Sequence, residues 1–309
     1  MKIRIGTRGS ALALWQADYV ADRLRAAHGE SLETERVIYK TTGDHILDRP
    51  LAEIGGKGLF TKELEVGLAE NAVDIAVHSL KDMPTVLPPG MVLGAIPVRG
   101  DVRDCLLSRP GESLDAPKRV GTASLRRQCL AFERWPEAHV EPIRGNVQTR
   151  MGRLHAEGER RMDVVILAMA GVLRMKFPEK HKDVAFLPLN PDRWIPAVSQ
   201  GALAIECREG DSAIIDALQK IHHAETAACV TAERAFLRAV EGDCRVPVGG
   251  YATHDRGNLR LRAFVGAPDG SKRVVHTASG TDPEALGNEV AQALLDAGGG
   301  DILARLRLH

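Results

Sequence analysis

Apolar and polar residues alternate at the very start of the chain, where Lys2-Ile3-Arg4-Ile5-Gly6-Thr7 reads as a strand. From Ser10 to about His28 the period becomes helical, with Leu12, Trp15, Tyr19 and Leu24 on the apolar face and Ser10 as N-cap. A strand follows at Glu35–Tyr39, then a glycine-rich loop, Gly55-Gly56-Lys57-Gly58, then a helix around Thr61–Glu70. Asp74–Ser79 is a short strand of the fully buried type, ending at Lys81-Asp82-Met83-Pro84. Strands alternating with helices predict a parallel sheet covered by helices.

The pattern restarts after Arg99. Arg119–Thr122 reads as a strand, Ser124–Trp135 as a helix, His139–Ile143 as a strand and Asn146–Glu157 as a helix capped by Asn146. Asp163–Ala168 is a central strand, and Ala202–Cys207 is a strand that returns to the first domain. Gly6-Thr7-Arg8-Gly9-Ser10 and Gly121-Thr122-Ala123-Ser124 both leave a strand through Gly-Thr and open a helix at Ser, so two α/β domains of related topology are expected. A long helix, Ala224–Glu241, opens a third region. Strands near Gly250–Thr253, Leu259–Val265 and Val274–Ser279 and a helix from Pro283 to Ala297 complete an α+β unit. The predicted domains are 1–97 with a return segment 198–219, 98–197, and 220–309.

Composition narrows the function. Hydrophobic residues are 44% and charged residues 27%, ordinary globular values, while aromatics at 4% leave the cores to Val, Ile, Leu and Ala. The longest apolar run, Val164 to Leu173, falls short of the roughly 20 residues of a membrane span. The N-terminus enters a strand with no signal-peptide core, so a cytoplasmic protein is expected. Five widely spaced cysteines without a C-x-x-C pair argue against a disulfide framework and a zinc site, and no metal is expected at His222-His223. A net charge of zero disfavours a general nucleic-acid binder. The basic residues are nevertheless uneven, 30 Arg against 11 Lys, with 12 Arg and one Lys between Arg99 and Arg161. A coding bias towards arginine accounts for the bulk; the informative ones fall in loops at strand ends, where a guanidinium grips carboxylate or phosphate bidentately.

Ligands of parallel α/β sheets sit outside the carboxyl ends of strands. There the chain places Arg8 and Ser10, then Lys81 and Asp82, then, after Gly121-Thr122, Ser124, Arg126 and Arg127, then Arg144, Asn146 and Arg150. Singly, Ser10 and Asn146 read as caps, and Arg126, Arg127 and Arg150 as solvated helix surface. Together they recur at one structural position, and all the charged ones but Asp82 are cations, which suits a ligand with several carboxylates or phosphates. Asp82 is the one acid among these cations, either a turn residue before Pro84 or a carboxylate that stabilises a cation. Leu59 stands where a P-loop needs Ser or Thr, so Gly55–Gly58 reads as a mobile lid with Lys57 reaching the ligand. Cys244 lies in a Gly-containing turn beside Arg245, which favours a thiolate, and beside Asp243, which opposes it; composition leaves a buried structural thiol and a reactive one both open.

Taken in order, GTRGSALALWQA (6–17), GGKGLFTKELE (55–65), DIAVHSLKDMP (74–84), GTASLRRQ (121–128), RGNVQTR (144–150), PAVSQGALAIE (196–206), HHAETA (222–227), TAERAF (231–236) and EGDCRVPVG (241–249) resemble the porphobilinogen deaminase (hydroxymethylbilane synthase) family over essentially the whole chain. The resemblance implies two domains like periplasmic binding proteins plus a smaller α+β C-terminal domain. It implies a transferase that joins four porphobilinogen molecules head to tail, releases ammonia each time and frees hydroxymethylbilane, in tetrapyrrole and haem biosynthesis. It implies one dipyrromethane primer per chain, held by a thioether to Cys244, with Asp82 as catalytic carboxylate. The implied anion-binding set is Arg8, Ser10, Lys81, Thr122, Ser124, Arg126, Arg127, Arg144 and Arg150, with Lys57 on the lid, in a monomer that binds neither nucleic acid nor membrane. The chain departs from the family at Asp243, Ser199 and Gln148, where Gly is common. The rival readings are a non-catalytic binder of a small polyanion and a phosphoryl-transfer enzyme.

Overall fold

The computed structural model describes residues 1–45, 58–240 and 246–307. The strands are β1 (Lys2–Arg8), β2 (Glu33–Tyr39), β3 (Ile75–Ser79), β4 (Met91–Ala95), β5 (Asp104–Ser108), β6 (Arg119–Gly121), β7 (His139–Glu141), β8 (Val164–Ala168), β9 (Ala185–Pro188), β10 (Leu203–Arg208), β11 (Val248–Asp255), β12 (Asn258–Gly266) and β13 (Arg273–Gly280). The helices are α1 (Ala11–His28), α2 (Thr42–His45), α3 (Lys62–Ala69), α4 (Leu125–Arg134), α5 (Val147–Met151), α6 (Met169–Arg174), α7 (Phe177–Lys180), α8 (Ser212–Gln219), α9 (Ala224–Ala239), α10 (Pro283–Leu294) and α11 (Gly300–Arg307). They fall into two compact units, Met1–Gly100 with Gly201–Ala227 and Asp101–Gln200 with Ala228–His309.

In the first unit the sheet order is β2-β1-β3-β10-β4. β1 runs parallel to β2 and β3, with Ile5 opposite Ile75, while β10 runs antiparallel to both β3 and β4. Ile3, Ile5, Ile75, Val77, Leu203 and Ile205 pack with Val20 and Leu24 of α1 and Leu218 of α8. Full burial of each such Leu or Ile contributes about 1.5–3 kcal/mol relative to exposure. The helix face differs from the one expected. Ala13, Gln16, Ala17, Val20, Ala21 and Leu24 are buried, so of Leu12, Trp15, Tyr19 and Leu24 only Leu24 is fully buried, while Tyr19 packs against the core half-buried. Small residues let α1 approach closely, and Trp15 stacks on Tyr19 at 5.3 Å on the half-buried flank.

The second unit repeats the topology. Its sheet order is β7-β6-β8-β5-β9, with β6 parallel to β7 and β8, and β5 antiparallel to β8 and β9. In both sheets an antiparallel strand stands fourth, and the two related α/β topologies expected from the Gly-Thr…Ser echo are present. The helix expected over Asn146–Glu157 is shorter: α5 stops at Met151 and a single tighter turn, Gly152–His155, follows. β4, β5 and β9 were not anticipated.

The antiparallel sheet β11-β12-β13 belongs to the second unit, with its own core of Phe236, Val240, Leu261, Val265, Val290 and Leu294. α10 crosses α9 at Gly287, where a Cβ would come within 2.4 Å of the Ala232 carbonyl, so only glycine permits the approach. Buried Glu233 of α9 accepts hydrogen bonds from the Ser199 amide (2.6 Å) and the Ala252 amide (2.8 Å), fastening α9 to β11 and to the segment before Gln200. Ser199 itself has φ 62°, in the left-handed region, and its buried Oγ has no hydrogen-bond partner among the described residues.

Candidate active site

In the first unit β1 and β3 are parallel, so Arg8, Ser10, Lys81 and Asp82 follow strand ends on one side of one sheet. The Arg8 guanidinium lies 4.1 Å above the Phe60 ring, a cation–π contact that holds its fork. Ser10 caps α1, its Oγ accepting from the Ala13 amide at 3.3 Å. Gln16 Nε2 donates to Ser79 Oγ at 2.8 Å and ties α1 to the end of β3. Beyond Ser79 the chain makes one tight helical turn, Leu80–Asp82. Leu80 and the following Met83 are buried, and the Leu80 amide donates to the Ala202 carbonyl at 3.1 Å. These anchors leave Lys81 and Asp82 exposed between them. Just before the turn, buried His78 Nε2 stands 3.0 Å from Glu206 Oε2, a pair the sequence reading did not single out.

In the second unit β6 ends at Gly121, Thr122 is buried, and Ser124 caps α4 by accepting from the Arg127 amide at 3.4 Å. Asn146 caps α5, and Arg144 and Arg150 flank it, both half-buried; Arg150 Nε donates to the Gly145 carbonyl at 2.8 Å. Arg126 and Arg127 are not the solvated surface that the bland reading allowed. Both are buried and converge on Asp104 of β5, which is fully buried. Arg126 Nη2 reaches Oδ2 at 2.7 Å, and Arg127 Nη2 reaches Oδ1 at 2.8 Å. Trp194 Nε1 (2.9 Å) and Gln200 Nε2 (2.8 Å) complete the carboxylate's shell. Burial alone would raise the pKa of Asp104, but Arg126 and Arg127, with hydrogen bonds from Arg127 and Gln200, hold it below the usual carboxylate range. The cluster carries one net positive charge. Sequence reasoning missed Asp104; the signal was an acid placed directly before the apolar Cys105-Leu106-Leu107.

Cys105, Cys129, Cys207 and Cys229 are buried free thiols. Burial pushes Cys105 up to about 12 and Cys129 and Cys207 up to about 11, so their thiolates are scarce at neutral pH. His222 Nδ1 accepts from the Ile96 amide, and no group of three metal-ligating side chains occurs among the described residues. Lys57 and Cys244 lie outside the described residues.

Each unit is thus an α/β sheet with hydroxyl and basic side chains following its strand ends, and in the first unit the acid Asp82 is exposed at one of them, which defines the chain as an α/β protein with polar, mostly basic strand ends. Sequence comparison makes the assignment particular. A family model described as porphobilinogen deaminase, dipyromethane cofactor binding domain, matches residues 3–216, and one described as porphobilinogen deaminase, C-terminal domain, matches 227–296. The porphobilinogen deaminase of Brevibacillus brevis is 47% identical, covering 99% of this chain and 97% of its own. The chain belongs to the porphobilinogen deaminase family. Among solved structures, YhfZ from Shigella flexneri aligns over 78% of this chain and 98% of its own at 14% identity and a TM-score of 0.38. An ancestral cationic amino acid solute-binding protein aligns over 70% and 86% at 12% identity and a TM-score of 0.40. Neither adds to what the strand order gives.

The family activity is that of a transferase of tetrapyrrole biosynthesis: four porphobilinogen molecules are condensed head to tail into hydroxymethylbilane with loss of ammonia, on a dipyrromethane cofactor. The reading as a non-catalytic binder has no support. The residues present fit the cofactor's chemistry. Arg126 Nε is a buried N–H without a partner among the described residues, on the helix that follows Thr122 and is capped by Ser124, and such an N–H suits a carboxylate.

Proposed function

We propose that Asp82 is the catalytic carboxylate of this reaction, that Cys244 holds dipyrromethane through a thioether, and that Arg8, Ser10, Lys81, Thr122, Ser124, Arg126, Arg127, Arg144, Arg150 and Lys57 bind the carboxylates of cofactor and growing chain. The observation that carries this is the exposed Asp82, held on a one-turn helix between buried Leu80 and Met83. A fixed negative charge there stabilises the cation left when ammonia departs from porphobilinogen, and its oxygens accept the pyrrole N–H. Each pyrrole carries an acetate and a propionate, so an elongating chain needs many fixed cations. When bound, dipyrromethane supplies the end to which substrate is added and makes each condensation intramolecular. The raised pKa values of Cys105, Cys129 and Cys207 support Cys244 as the attachment point.

The proposal includes three domains, 1–97 with 198–219, 98–197 and 220–309, supported by the separate sheet and core of β11–β13. It includes a cytoplasmic monomer with no nucleic-acid partner, supported by a net charge of zero. No described helix is long and apolar enough to cross a membrane. Intact-mass measurement on the purified protein, followed by peptide mapping, tests the assignment. We expect one dipyrromethane per chain on the peptide holding Cys244, and loss of both mass and activity in Cys244→Ala. A modified Cys105 or Cys229 with Cys244 unmodified would overturn it.

A further inference from the structure

Arg126 and Arg127 are adjacent on one helix, where successive side chains diverge by about 100° around the axis. Both nevertheless end on Asp104, because each also has a second fixed acceptor: Arg126 Nη1 donates to the Ile195 carbonyl at 2.8 Å and Arg127 Nη1 to the Ile166 carbonyl at 2.9 Å. The Asp104 oxygens divide the work. Oδ2 accepts from Arg126 Nη2 and Trp194 Nε1; Oδ1 accepts from Arg127 Nε and Nη2 and from Gln200 Nε2. Five N–H contacts saturate a carboxylate and leave no place for a donor on either side. Asparagine fits in neither orientation, since its amide nitrogen would meet N–H groups.

We propose that Asp104 is a positioning residue for substrate and cofactor carboxylates, fixing the planes of the Arg126 and Arg127 guanidiniums so that their uncommitted N–H groups, Arg126 Nε among them, are set for an anion. This rests on the reading of Arg126 and Arg127 as carboxylate-binding residues. The geometry separates it from a plain charge effect. Removing Asp104's charge makes the cluster more positive, so attraction alone predicts tighter anion binding, whereas loss of orientation predicts weaker binding.

The test compares Asp104→Asn, Trp194→Phe and Arg127→Gln with wild type by KM for porphobilinogen, by the fraction of chains carrying dipyrromethane in intact-mass spectra, and by thermal unfolding. We expect Asp104→Asn to raise KM at least tenfold and to lower cofactor occupancy in the folded fraction. Trp194→Phe, which removes one donor and no charge, should raise KM two- to fivefold with little change in Tm, and keeps the test available if Asp104→Asn does not fold. A KM unchanged or lowered in Asp104→Asn, with full occupancy, overturns the positioning role. So does a Trp194→Phe protein indistinguishable from wild type. If Arg127→Gln raises KM while the Asp104 and Trp194 variants do not, the role of Asp104 alone falls. If Arg127→Gln itself leaves KM and occupancy untouched, the underlying reading of the arginines falls.

Discussion

Replacing Ser199 by glycine removes two local costs at once. The backbone there has φ 62°, which disfavours any residue with a Cβ, by about 1–3 kcal/mol. The side chain is fully buried and its hydroxyl finds no partner among the described residues, a further desolvation cost of about 1–3 kcal/mol. Against these stands the greater freedom of an unfolded glycine, about 0.5–1 kcal/mol. Taking the lower end of each gain, Ser199→Gly should stabilise the protein by about 1 kcal/mol. The bond to Glu233 survives, because the donor is the backbone amide. Denaturant unfolding followed by circular dichroism reads the gain as a higher midpoint at unchanged slope. Ser199→Ala is the control, since it loses the hydroxyl but keeps the Cβ at positive φ. The expected order of stability is glycine above alanine, with wild-type serine lowest. A glycine variant no more stable than wild type, or less stable than alanine, would show that neither cost is present.

Asp82→Asn should lower kcat more than Asp82→Glu, by about 10²–10³ for a lost electrostatic partner, in single-turnover assays on cofactor-loaded protein; both variants should keep the wild-type Tm, since Asp82 is exposed. Arg144→Lys and Arg150→Lys keep the charge but lose the planar fork, so each should lower kcat/KM near neutral pH. Wild-type values in both variants would refute the polyanion reading of these strand ends.

Local chemistry was legible in the sequence where one residue does one job. Ser10, Ser124 and Asn146 all cap the helices they were expected to cap, because a short polar side chain before an apolar period has few other uses. The apolar face of α1 was legible only in part: Leu24 and Tyr19 pack on the core, but pattern favours large residues while close packing on a sheet favours alanine, as at Ala13, Ala17 and Ala21. β5 was missed because its first residue is charged, and an acid rarely opens a fully buried strand. It does so at Asp104 only because two arginines 22 and 23 residues later fold back onto it. Such a group is invisible to periodicity, which sees neighbours in sequence.

The fourth strand of each sheet has a consequence for the order in which the chain can complete itself on the ribosome. In the first unit β10 lies between β3 and β4 and pairs with both, so nothing in the sheet joins those two strands until residues 203–208 have been made. In the second unit the equivalent strand, β5, precedes its partners, and the last strand of that sheet ends at Pro188. The sheet that begins first is therefore finished last. A nascent chain released between Pro188 and Leu203 holds every strand of the later sheet and an open ladder edge on the earlier one, the kind of edge that recruits a stranger's strand.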